Sequence, residues 1–215
     1  MPFFEGARGQ LHYRRWAVPR PLAMVQWLPG TGQHSGHYHR FARGLGARGL
    51  EVWGLDTSGQ GLSEGDPQAP GTLDELVADA RAFALAIRRE SPGIPLVVAG
   101  HSLGAATAVA MVSGTTGSDL GYAAMVLTGT PKRATAGYPA LPPDLPVLAL
   151  HGVDDRRAPI DSVRDWTARG QSVGLREYAD AGHDLLHEPV HAKVTADIVE
   201  WIRDVVVERG ARRVE

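Results

Sequence analysis

Three residue types that do chemistry together stand in three separate stretches of this chain. Ser102 lies in Gly100-His101-Ser102-Leu103-Gly104, two carboxylates in His151-Gly152-Val153-Asp154-Asp155-Arg156, and an imidazole in Asp180-Ala181-Gly182-His183-Asp184. A serine hydroxyl alone is a weak nucleophile, and a histidine with a pKa near ~6.5 is the side chain suited to take its proton at neutral pH. An aspartate behind that histidine fixes its tautomer and stabilises the imidazolium without taking the proton itself. The order serine, acid, histidine therefore points to nucleophilic catalysis, with Ser102 as nucleophile, His183 as base and an aspartate of the middle stretch behind it. The glycines around Ser102 fit this reading. A serine on a sharp strand-to-helix turn has strained backbone angles, and its neighbours two residues away must lack a Cβ to avoid collision.

The elements needed to hold these residues are visible in the hydrophobic pattern. Apolar runs of strand length at Leu11–Val18, Ala23–Leu28, Glu51–Leu55, Leu96–Gly100, Ala123–Leu127, Val147–Leu150 and Leu175–Tyr178 alternate with helix-period segments. Those segments are Tyr38–Arg48, Leu73–Glu90, Leu103–Ser113, Ser162–Ala168 and Val190–Glu208. The alternation predicts an α/β fold, a mostly parallel central sheet with helices on both faces. Thr72 followed by Glu75 reads as a capping box that starts the second helix. Trp27, Trp53, Trp166 and Trp201 fall in strand or helix patterns and read as core. The acid and histidine stretches each follow a strand, at the end where open α/β sheets build their sites. With 215 residues and only a short proline-rich stretch at Tyr138 to Pro146, the chain reads as one domain spanning 1–215.

Composition removes whole classes of function. The absence of cysteine excludes thiol nucleophiles, disulfides and thiolate metal sites, and fits a reducing cytoplasm. The N-terminal residues lack the basic start and apolar run of a secretion signal. No stretch approaches the ~18 apolar residues of a spanning helix. A net charge of −2 offers no general attraction to nucleic acid or anionic lipid, and the basic run Arg209 to Arg213 reads as a solvated helix end. His187-Glu188-Pro189-Val190-His191 matches the zinc-protease pattern H-E-x-x-H, but Pro189 belongs at a helix start, so the two imidazoles are not expected to converge. His34, His37 and His39 have no carboxylate beside them in sequence, and neither Lys132 nor Lys193 adjoins a phosphate-binding or Ser-x-x-Lys pattern. No metal and no cofactor are expected.

At five places in order the chain resembles the α/β-hydrolase fold, and within it the monoacylglycerol lipase and lysophospholipase branch. Pro29-Gly30-Thr31-Gly32-Gln33-His34-Ser35-Gly36-His37-Tyr38 is similar to that branch's oxyanion loop, H-G-x-G-E-H-S-x-R-Y. Asp56 to Ser63 resembles D-x-x-G-x-G-x-S, a loop in which Asp56 and Ser63 are expected to shape a turn. Gly100 to Gly104 is the serine turn, His151 to Asp155 resembles H-G-x-x-D, and Gly182-His183 with Glu188-Pro189 resembles the histidine loop. The resemblance covers nearly the whole chain. It selects Asp155 over Asp154, and it implies an oxyanion hole built from the backbone N–H groups of Thr31 and Leu103.

The departures are specific. Pro29, Gln33 and His37 replace the branch's histidine, glutamate and arginine, and the helical cap that normally precedes the acid strand is reduced to Gly129 to Leu145. That connection carries prolines at 131, 139, 142 and 143 and little apolar periodicity, so a minimal or absent cap and an open cleft are expected. His101 is expected to turn its ring away from the cleft, by strand alternation, and Asp184 to face solvent. The implied activity is a metal-independent serine hydrolase acting on carboxylic esters, monoacylglycerol-like, lysophospholipid-like or short-chain, through an acyl-enzyme. Its partner would be a small-molecule acyl ester, with neither nucleic acid nor membrane insertion. A thioesterase or acyltransferase would use the same three residues on a carrier-bound acyl group, and a non-catalytic binding relative would keep the fold alone.

Overall fold

Strands whose odd and even side chains are both apolar must sit inside a sheet covered on both faces. The computed structural model, which describes residues 2–69, 71–113, 120–137, 140–169 and 173–212, has that arrangement. Its strands are β1 (Phe3–Gly6), β2 (Gly9–Trp16), β3 (Ala23–Leu28), β4 (Leu50–Leu55), β5 (Leu96–His101), β6 (Ala124–Thr128), β7 (Val147–Gly152) and β8 (Val173–Tyr178). They form one sheet in the order β1-β2-β4-β3-β5-β6-β7-β8. β1 and β2 pair antiparallel, β2 runs antiparallel to β4, and all later pairings are parallel.

The two faces divide the strand residues by parity. Met24 and Leu28, Leu96 and Val98, and Met125 and Leu127 pack toward α2 (Leu73–Glu90) and α3 (Leu103–Val112). Val25 and Trp27, Val97 and Ala99, and Ala124 and Val126 pack toward α1 (His39–Gly46) and α6 (His191–Arg212). Helix α2 buries Leu76, Ala80, Phe83, Ala84 and Ile87 along one stripe, and each large side chain there contributes ~1.5–3 kcal/mol of apolar burial. The capping box is present as read: Thr72 Oγ1 accepts from the Glu75 N–H, and the Glu75 carboxylate accepts from the Thr72 N–H.

The structure departs from the sequence reading at the edges. β1 is an additional strand, a four-residue hairpin partner too short and too exposed to show a period. Trp27, Trp53 and Trp166 are buried, whereas Trp201 is only partly covered. Between β6 and β7 the described residues hold one short helix, α4 (Lys132–Thr135), where a lid would otherwise stand. Tyr138 and Pro139 of the proline-rich stretch, and Arg213 of the basic end, lie outside the described residues. The remaining helix, α5 (Asp161–Arg169), follows β7.

Helix α3 lies so close to β3 that a Cβ on Gly104 would meet the Leu28 carbonyl oxygen at 2.0 Å, and backbone cannot give way as a side chain can. Gly104→Ala should therefore cost at least ~1–3 kcal/mol, read as a lower midpoint in urea denaturation. A variant as stable as the parent would show that the helix shifts freely.

Candidate active site

The serine turn is strained as its sequence requires. Ser102 sits between β5 and α3 at φ 51° and ψ −110°, a left-handed conformation that a side chain disfavours. It persists because the surroundings leave no alternative: its N–H donates to the Thr128 carbonyl of β6 at 3.0 Å, and α3 begins at once behind it. A Cβ on Gly100 would meet the Gly104 carbonyl oxygen at 2.4 Å. The turn thus closes only with glycine at both positions. The Ser102 hydroxyl makes no hydrogen bond to a described residue.

The acid lies at the end of β7. Asp155 is buried, and all its acceptor sites are occupied: Oδ1 takes the N–H groups of Arg157 at 2.9 Å and Ala158 at 2.8 Å, and Oδ2 takes His183 Nδ1 at 2.7 Å. His151 Nε2, which donates to the Ala158 carbonyl at 2.7 Å, also approaches Oδ2 at 3.2 Å. Burial alone would raise the Asp155 carboxyl, but the hydrogen bonds from His151, His183 and Ala158 outweigh it and hold the group well below the usual carboxylate range. Asp154 is exposed, and its N–H donates to the Ala181 carbonyl at 3.0 Å. Of the two adjacent aspartates, the structure brings Asp155 to the histidine.

An ionised carboxylate can only accept, so His183 carries a proton on Nδ1, and in the neutral ring that tautomer makes Nε2 the acceptor. The loop that presents the ring is pinned by Glu188, whose carboxylate accepts the Gly182 N–H at 2.6 Å and the Asp184 N–H at 2.9 Å. His183 is thereby clamped from both sides. The acid and histidine loops also touch through backbone: a Cβ on Gly152 would meet the Gly182 carbonyl oxygen at 2.2 Å.

Thr31 and Leu103 bracket the serine from two other elements. Leu103 is the first residue of α3, so its N–H has no partner within the helix, and Thr31 lies in the turn after β3. Neither N–H donates to a described residue. Gln33 shapes the turn: its Oε1 accepts from the Gly30 N–H at 3.2 Å and from the Tyr38 hydroxyl, and its Nε2 donates to Asp184 Oδ2 at 3.1 Å. A glutamate at 33 would set two carboxylates against each other there. Asp56 anchors the next part of the loop, accepting the Ser35 N–H at 2.7 Å, the Leu62 N–H at 3.0 Å and His12 Nδ1 at 2.9 Å. Ser63 completes the turn by donating to the Asp56 carbonyl at 2.6 Å.

Thr31, Ser102 and His183 line one cleft of about 300 Å³ at the C-terminal edge of the parallel strands. A larger groove, about 840 Å³, runs beside α1 and α6 and holds none of these residues.

Two expectations need correction. His101 does not turn away from the cleft; it lines it, with its ring packed on that of His183 at 4.9 Å between centroids. Strand alternation fails because β5 ends there and the chain bends into the strained turn. Asp184 is not simply solvent-facing, since its carboxylate is held by Gln33 and by His187 Nδ1 at 2.8 Å. Sequence reasoning also missed Glu188 as the tie within the histidine loop and Gln33 as the tie from the turn after β3 to that loop; the only signal was their place in stretches that resemble the family's loops. The H-E-x-x-H residues are each engaged locally. His187 Nε2 lies 2.9 Å from the His37 carbonyl, Glu188 clamps the loop, and His191, the first residue of α6, bonds the Glu188 carbonyl at 2.9 Å.

A strained serine after a parallel strand, with acid and histidine on the next strand ends, defines the α/β-hydrolase architecture of serine hydrolases. Residues 19–143, more than half the chain, match the family described as serine aminopeptidase, S33, and the chain belongs to that family. It is 25% identical to a monoacylglycerol lipase of Mycolicibacterium smegmatis over 269 aligned positions, covering 93% of this chain and 95% of that one. The alignment is longer than the 215 residues here, so the relative has intervening sequence that this chain lacks. Human monoglyceride lipase is 32% identical over 111 residues, which is 51% of this chain but only 37% of the human one. Among solved structures, an α/β serine hydrolase without lid from Xanthomonas campestris matches 96% of this chain and 92% of its own at TM-score 0.72 and 20% identity, a likeness of fold.

Burial, reinforced by the nearby His183, pushes the His101 imidazole down from 6.5 to about 4. The unfolded chain then binds this proton first, so the contribution of neutral His101 to stability is complete above 6.5 and is lost as pH falls toward about 4. Denaturation measured across that window should show stability falling with acidity, and His101→Gln should flatten the slope. An unchanged slope would place the titration elsewhere.

Proposed function

We propose that this protein hydrolyses carboxylic esters of small molecules through an acyl-enzyme on Ser102. The observation that carries the reading is the 2.7 Å bond from His183 Nδ1 to a buried, ionised Asp155 in a cleft shared with Ser102. That bond fixes the tautomer a general base needs. His183 Nε2 takes the Ser102 proton as Oγ attacks the ester carbonyl, and the oxyanion is received by the N–H groups of Thr31 and Leu103. The protonated His183 then gives its proton to the departing alcohol, leaving Ser102 acylated. Water, activated by the same ring, attacks the acyl-enzyme and frees the acid. The glyceride-lipase relatives favour an ester over an amide as the bond cleaved.

With α4 the only helix among the described residues between β6 and β7, no described element there builds the apolar walls that hold a long acyl chain. A long chain would leave its methylenes in water, forfeiting up to ~0.8 kcal/mol for each one not buried. Activity on p-nitrophenyl esters should therefore stop improving in kcat/KM after a few carbons. A preference for long chains by orders of magnitude would mean that another element covers the cleft.

Ser102→Ala and His183→Ala should each lower kcat by roughly 10⁴–10⁶ with the fold intact. Asp155→Asn should cost roughly 10⁴, by turning the His183 tautomer, while Asp154→Asn should cost less than about tenfold. Near-normal turnover by Ser102→Ala would remove the proposal, and equal large losses at both aspartates would contradict the assigned acid.

A further inference from the structure

The cleft that holds Ser102 is not lined as a fatty-acyl site would be. Besides Ser102 and His183 its walls carry Arg133 from α4 and Arg157 from the turn after β7. Both side chains are exposed, and neither guanidinium forms an ion pair or hydrogen bond with a described residue. Away from the cleft, Arg164 is paired with Glu177 at 2.7 Å and Arg176 with Asp197 at 3.3 Å. The backbones beneath the two cleft arginines are anchored: the Arg157 N–H donates to Asp155 Oδ1 at 2.9 Å, and the Ala134 N–H next to Arg133 bonds the Pro131 carbonyl at 2.8 Å. Asp184, the one carboxylate of the lining, is engaged by His187 Nδ1 at 2.8 Å and by Gln33 Nε2 at 3.1 Å rather than by either arginine.

We infer that the site takes esters bearing an anionic group, a carboxylate or a phosphate, which Arg133 and Arg157 receive while the ester carbonyl meets Ser102. The inference rests on the ester-hydrolase reading and specifies its substrate class. Guanidinium forks match the planar or tetrahedral oxygens of these groups and hold them by paired, charge-assisted hydrogen bonds. A void of about 300 Å³ suits a small substrate of this kind, being at the lower end of small-molecule sites. The same two charges replace what the reduced cap does not supply. They fix one end of the substrate, and so its orientation, without an apolar wall.

The test compares matched pairs. One is 4-nitrophenyl hemisuccinate against its neutral methyl ester; the other is 1-butyrylglycerol 3-phosphate against 1-butyrylglycerol, so that the pairs separate a carboxylate from a phosphate. The charged member of at least one pair should be favoured about tenfold in kcat/KM, and raised salt should shrink that preference. Arg133→Gln and Arg157→Gln should each reduce the ratio about fivefold, and Lys at either position should restore part of it. Arg156→Gln, on an exposed neighbour outside the cleft lining, should leave the ratio unchanged. Should either Gln variant not fold, competitive inhibition of wild-type turnover by free succinate and glycerol 3-phosphate reads the same site. Brisk hydrolysis of the neutral esters with no preference, no inhibition and no effect of either arginine would overturn this inference and leave the hydrolase reading standing. Failure to hydrolyse any ester would overturn both.

Discussion

The positive φ of Ser102 is a local cost that the rest of the molecule is arranged to sustain. A left-handed non-glycine residue is disfavoured by ~1–3 kcal/mol and survives only where its surroundings over-determine it. Here β5 runs into the turn from a fully buried core, α3 leaves it immediately, and the Ser102 N–H is held by β6. Glycine at 100 and 104 is the steric condition for that closure, since a Cβ at either place would collide with backbone. Much of the sheet can be understood from this point. Its central strands must be parallel for several of them to end beside the same serine, and both faces must be covered for those strands to be apolar throughout.

Electrostatics acts at a second level, in loops that a sheet alone cannot order. Asp155 accepts from four groups and Asp56 from three, and in both cases the hydrogen bonds overcome a burial penalty and keep the carboxylate charged. Asp56 ties β2, the loop at Ser35 and the loop at Leu62 together, while Gln33 and Glu188 extend the fastening to the loop of His183. Fixed acceptors therefore surround a cleft whose serine hydroxyl and two backbone donors are free of partners among the described residues. That division between bonded frame and unbonded centre is what preorganisation demands.

What could be read from the sequence was local. Strands announced themselves by apolar runs and α2 by its Thr72–Glu75 cap, because those signals lie within a few residues of the element they define. The serine turn was equally legible, since the glycines and the strain they relieve are neighbours. Asp155 was not separable from Asp154 by residue type; resemblance selected it, and burial with four hydrogen-bond donors distinguishes it in the fold. The contacts of Gln33 with Asp184, 151 residues apart, could not be inferred from any spacing. Alternation misplaces His101 because a two-residue period holds only while the strand continues, and the strand stops there. β1 gives no sequence signal, being a short exposed edge without a buried face.

The central claim is that Ser102 is a nucleophile activated by His183, and covalent capture tests it most directly. The protein should be incubated with a fluorophosphonate, its intact mass measured and the modified peptide sequenced. The account predicts a single adduct, located on Ser102, forming far more slowly in His183→Ala and not at all in Ser102→Ala. No adduct on the folded protein, or one that persists in Ser102→Ala, would contradict it.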